Sequence, residues 1–151
     1  MTNKGNQILE TSILIADDDA DDRLLVQEAL IDAKFPNTNI TFVEDGNDLM
    51  DYLNKRGQYL GNNDRILPTL ILLDLNMPKK DGKQALQEIK TDPNLRQIPV
   101  VILTTSGGSD DIKSSYDLGA NTYISKPANF DDLVKIMQTV KHYWLDIACL
   151  T

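Results

Sequence analysis

Five aspartates fall within six positions, Asp17, Asp18, Asp19, Asp21 and Asp22, directly after the apolar run ILIA at 13–16. Three further residues stand in the same way at the end of an apolar run: Asp74 after LILL, Thr104 after VVIL and Lys126 after TYIS. Carboxylates brought together repel one another, and a hard divalent cation such as Mg²⁺, which prefers oxygen ligands, offsets that cost. A lysine and a hydroxyl are what a phosphoryl group requires, a point cation and a donor to anionic oxygens. A carboxylate held in line with a phosphoryl donor can act as the nucleophile and become an aspartyl phosphate. These residue types therefore suit phosphoryl transfer onto an aspartate, provided the chain brings them together.

The hydrophobic pattern supplies the elements that would do so. Short apolar runs at 13–16, 40–43, 70–73, 100–103 and 122–125 read as buried strands. Helical periodicity covers 21–33, 47–55, about 82–91, 110–118, and a last stretch from 129 or 130 to Trp144 or beyond. Asp21 or Asp22 is expected to cap the first helix, leaving Asp19 as a surface residue. Residues 56–68 read as an extended loop, and Gly119 suits a helix C-terminus. Five strands alternating with five helices predict an α/β fold: a parallel sheet covered on both faces, with every strand's C-terminal end on one edge. Ligands bind at that edge, where strand order reverses. There, Asp17, Asp18, Asp74, Thr104 and Lys126 would converge.

Composition agrees with one such domain. The 151 residues carry 23 acidic and 15 basic side chains, a formal charge of −8, and 19 of the acids are Asp. That balance lacks the clustered Lys and Arg of a duplex-binding surface, so no nucleic-acid partner is expected. No run is long and apolar enough for a signal peptide or a membrane span. Cys149 has no partner for an internal disulfide, and a reducing, cytoplasmic setting is the expectation. Lone His142 reads as a surface or packing residue.

The segments ILIADDDADD (13–22), LILLDLNMPKKDG (70–82), PVVILTTS (99–106) and YISKP (123–127) resemble the receiver domains of two-component response regulators. Asp74 to Thr104 is 30 residues and Thr104 to Lys126 is 22, as in that family. The resemblance implies a (βα)5, flavodoxin-like fold with strand order 2-1-3-4-5, spanning 12–145 between an N-terminal extension (1–11) and a tail (146–151). It implies that Asp74 accepts a phosphoryl group from a sensor histidine kinase. Asp17, Asp18, Asp74 and the backbone carbonyl of Asn76 would hold Mg²⁺, with Mn²⁺ able to substitute. Thr104 and Lys126 would hold the phosphoryl group, Thr104 and Tyr123 would form the switch, and the Lys126–Pro127 bond would be cis. The only catalysis implied is of the protein's own phosphorylation and dephosphorylation.

The stretches DDRLLVQEAL, IKTDPNLRQIPVVILTTS and DIKSSYDLGANTYISKP are also similar to the single-domain regulators paired with bacterial phytochrome-type kinases. That subgroup implies a homodimer through the fourth helix, fifth strand and fifth helix, with no separate output domain. Asp17 stands where many receivers have Glu, and Thr105 where many have Ala; with Asn76 and Ser106, Thr105 is expected to tune hydrolysis. Two rival readings are an aspartate-nucleophile phosphatase and a receiver-fold adaptor that works without phosphorylation. The first wants a second Asp where Asn76 stands, and the complete set of site residues argues against the second.

Overall fold

The computed structural model describes residues 12–35, 39–61, 67–105 and 107–148. Five strands, β1 (Ser12–Ala16), β2 (Asn39–Val43), β3 (Leu70–Leu73), β4 (Val100–Thr104) and β5 (Thr122–Ser125), form one parallel sheet in the order β2-β1-β3-β4-β5. The helices are α1 (Ala20–Asp32), α2 (Gly46–Asn54), α3 (Gly82–Thr91), α4 (Ser109–Asp117) and α5 (Phe130–Lys141). The expected strand order and alternation are both present, with strand and helix ends shifted mostly by a single residue.

Strand side chains alternate between faces, and this splits the core into two layers. Leu14, Ala16, Ile71, Leu73, Val100 and Ile102 pack with α2 and α3 on one face. Ile13, Ile15, Leu70, Leu72, Val101 and Leu103 pack with α1 and α5 on the other. The central strands are apolar on both sides because both sides are covered.

Three local expectations change. Asp19, not Asp21 or Asp22, caps α1: its carboxylate accepts from the backbone N–H groups of both. The loop after α2 contains a 3₁₀ turn at Gly57–Tyr59, whose Tyr59 ring meets Tyr52 edge-on with centroids 5.1 Å apart. The last helix gives way after Lys141 to a wider π turn over His142–Ile147, closed by the Ala148 N–H on the Tyr143 carbonyl, five residues back. Gly119 does end its helix, at φ +109°.

α4 is the most thinly packed helix, since Ser115 is its one buried residue. The Ser115 hydroxyl is fully buried with no hydrogen-bond partner among the described residues. Tyr116, at the far end of α4, accepts the outward N–H of Tyr123 on the edge strand β5 with its phenol oxygen, at 3.0 Å. Residues 1–11, Ser106 and Cys149 lie outside the described residues, so expectations placed on them find no structural counterpart.

Candidate functional site

Sheet hydrogen bonding runs one residue past several strands, and this aims the site. The Asp17 N–H donates to the Val43 carbonyl (3.1 Å), the Asp74 N–H to the Ala16 carbonyl (3.0 Å) and the Lys126 N–H to the Thr104 carbonyl (2.7 Å). Each functional side chain therefore leaves a backbone pinned by its neighbour strand, at the C-terminal edge.

The carboxylates of Asp17, Asp18 and Asp74 each offer an oxygen, all within 4.8 Å of one another. Asp17 and Asp74 are buried at 3% and 7% exposure, whereas Asp18 faces solvent. Such a set of oxygen donors, two inside and one at the mouth, fits a hard divalent cation that keeps some of its water. Asp74 Oδ1 accepts the Thr104 hydroxyl at 2.8 Å and the Asn76 N–H at 3.0 Å. Its Oδ2 lies 3.4 Å from Lys126 Nζ. Thr104 is fully buried; Thr105, the next residue, points outward as an exposed side chain.

Lys126 reaches further than sequence reasoning placed it. Its ammonium is 2.9 Å from Asp17 Oδ2 and 3.2 Å from Asp22 Oδ2, as well as touching Asp74. The Lys126–Pro127 bond is trans, contrary to the expectation, and the lysine reaches the carboxylates from a backbone anchored on Thr104. Burial raises the Asp17 carboxyl above its ordinary range, despite the Asp19 N–H and Lys126 that favour its charge. Burial also works against the Lys126 charge, yet Asp17, Asp74 and Asp22 outweigh it and hold the lysine above its usual value. The two shifts differ in cause: burial dominates at Asp17, whereas the three surrounding carboxylates dominate at Lys126.

Loop geometry fixes the acceptor. α3 starts at a capping box, in which the Asp81 carboxylate and the Gln84 amide bond each other's backbone N–H. Gly82 then passes so close behind the acceptor that a Cβ there would lie 2.5 Å from the Asp74 carbonyl oxygen and 2.6 Å from Leu75 Cα. On the other side, Gly46 at the start of α2 sits against the Lys80 backbone with no room for a Cβ. Lys80 also pairs with Glu88 on α3. The loop 75–81 is thus clamped between α2 and α3.

Tyr123 is half-buried on β5, beside Ile102, and packs onto the α2–α3 side of the core. Near it, Lys83 of α3 pairs with Asp111 of α4 at 2.5 Å. This bond is the largest reason the Lys83 pKa is raised. Sequence reasoning missed two contacts at the site, the Asp22 pair with Lys126 and the Arg23 guanidinium on the Asp17 carbonyl at 2.8 Å. Both residues lie in the first turn of α1, the one signal that could have placed them near the strand ends.

Comparison with known proteins adds the family context. The family model described as "Response regulator receiver domain" matches residues 13–138. In sequence the chain is similar to the response regulator Rcp1 of Synechocystis sp., 44% identical over 138 residues and covering 91% of each chain. In structure it is similar to the phosphorylated cyanobacterial phytochrome response regulator RcpA, with 45% identity and a TM-score of 0.85 over 93% of this chain and 98% of that one. It is also similar to the Mn²⁺-bound form of Rcp1, with 40% identity and a TM-score of 0.83 over 93% and 99%. Among the described residues, no helix is long and apolar enough to cross a membrane.

Proposed function

Because the chain belongs to the response regulator receiver domain family, we propose that Asp74 accepts a phosphoryl group from the phosphohistidine of a sensor histidine kinase and that the protein signals through protein contacts. The observation that carries this reading is the Asp74 carboxylate itself. It is buried, holds the Thr104 hydroxyl on one oxygen, faces Lys126 with the other, and shares a cluster with Asp17 and Asp18.

An Asp74 oxygen attacks phosphorus, an O–P bond forms, and the N–P bond to the donor imidazole breaks with its electron pair leaving on nitrogen. Lys126 and Thr104 then pair with the phosphoryl oxygens. Asp17, Asp18, Asp74 and the Asn76 carbonyl are the groups to hold Mg²⁺, with Mn²⁺ as a substitute. When bound, the cation neutralises the carboxylates and the charge of the transferring group. Tyr123 changes position when the Thr104 hydroxyl is drawn to the phosphoryl group, giving two packings that phosphorylation biases. Thr105 and Asn76 beside the acceptor, together with Ser106, tune hydrolysis and so set the lifetime.

Phytochrome-type kinase as the donor is supported by the resemblance to RcpA, a phytochrome response regulator. For a homodimer through α4, β5 and α5, the support lies on the β5 and α5 side, in an apolar groove whose lining includes Ile124, Ile136, Val140, Tyr143 and Trp144. A cytoplasmic setting follows from a kinase donor. The direct test is incubation with Mg²⁺ and acetyl phosphate, followed by mass spectrometry of the intact protein. We expect one base-labile, acid-stable phosphoryl adduct on the wild type and none on Asp74→Asn. Equal labelling of the two proteins would overturn the assignment.

A further inference from the structure

Three carboxylates surround the Lys126 ammonium, and one of them has no place in the chemistry above. Asp17 at 2.9 Å and Asp74 at 3.4 Å belong to the cation-binding cluster, whereas Asp22 at 3.2 Å does not. An ammonium has three protons to donate, so these three acids account for all of them. A phosphoryl oxygen arriving on Asp74 needs one of those protons. Asp17 is buried and further tied to the Asp19 N–H at 3.0 Å. The Asp74 carboxylate itself carries the arriving group. The Asp22 side chain, 34% exposed on the first turn of α1, can turn to water at little cost, while Lys126 at 8% cannot leave.

We infer that Asp22 is a positioning residue: it holds Lys126 by the proton that the phosphoryl oxygen later takes, and so competes with the phosphoryl group for the lysine. This rests on the reading of Asp74 as the acceptor. Asp22 acts through Lys126 and touches no reacting atom. A carboxylate that must be displaced favours the unphosphorylated form, and removing it shifts the balance toward the occupied site.

The test is the equilibrium affinity for beryllofluoride, a non-covalent stand-in for a phosphoryl group on aspartate, measured by calorimetry in the presence of Mg²⁺. Asp22→Asn should bind it about fivefold tighter than wild type, the scale of a partly exposed ion pair. Asp22→Glu, which restores a carboxylate, should fall back toward wild type. Asp21→Asn removes the same charge one residue earlier on an exposed side chain, and should change affinity by less than about 1.5-fold. No gain in Asp22→Asn, or an equal gain in Asp22→Glu or Asp21→Asn, overturns the inference. A wild type that binds beryllofluoride and takes phosphoryl from acetyl phosphate while Asp22→Asn shows no gain overturns the Asp22 role alone. A wild type that does neither overturns the acceptor assignment and this inference with it.

Discussion

Asp17, Asp18 and Asp74 set three negative charges within 4.8 Å of one another, against one buried lysine. The free side chain of Asp17 titrates near 3.8, and its folded-state value lies above that because burial disfavours the charge. The folded chain therefore binds the proton more readily than the unfolded chain in the window just above 3.8. Its stability, through this group, falls as pH rises through that window. At neutral pH without divalent cation, Asp17→Asn should then unfold at a higher urea concentration than wild type. The same substitution should also abolish most of the gain that saturating Mg²⁺ gives the wild type, expected at about 2–3 kcal/mol at a hundredfold excess over the dissociation constant. A variant less stable than wild type in chelator would refute the idea that the empty cluster is frustrated.

At the scale of elements, the acceptor depends on how closely α3 returns behind β3. A methyl group on Gly82 meets backbone atoms on both contacts, so no side-chain rotation relieves it. Gly82→Ala should cost about 2–3 kcal/mol and slow phosphoryl uptake from acetyl phosphate, since the Asp74 carbonyl and the 75–81 loop must shift. Unchanged stability and uptake would show that the loop has slack. Strand ends were legible in the sequence because each strand gives way to a polar residue: Asp17, Glu44, Asp74 and Lys126 follow their strands, and Thr104 closes β4. The position of the α1 cap was not: in a row of aspartates any of several can cap, and the extended backbone at Asp19, just ahead of the first helical residue, decides. The partner of Asp22 was also hidden, since Lys126 lies 104 residues further along and only the completed sheet brings the two together. The π turn after α5 escaped because it begins beyond the last buried position of that helix, Val140, and buries no residue of its own that could mark a change of period.

For the whole molecule, the two core layers leave one side unequal. β5 is an edge strand whose residues are half-buried or exposed, and the apolar groove beside it runs along α5 to Tyr143 and Trp144, whose rings meet edge-on at 4.9 Å. Covering this face with a second copy would complete the burial that β1, β3 and β4 already have. Light scattering should then give a molar mass near twice that of the chain, and Ile136→Asp should reduce it to the monomer while leaving phosphoryl uptake intact. A wild type that is monomeric with and without phosphorylation would exclude this face as a homodimer contact. The family and site chemistry were readable because phosphoryl transfer demands particular groups at particular strand ends. An interface demands only apolar surface, which sequence patterning shows much less sharply.

The Tyr116 phenol on the Tyr123 amide has a consequence of a different kind. An open sheet margin is a template onto which any extended chain can hydrogen-bond. Here the thinly anchored α4 supplies the stopper for β5, occupying a donor that a foreign strand would otherwise use. Any rearrangement that draws α4 away from β5 would therefore do more than reshape a signalling surface. It would lift a guard against sheet growth and couple the signalling state of the molecule to its solubility.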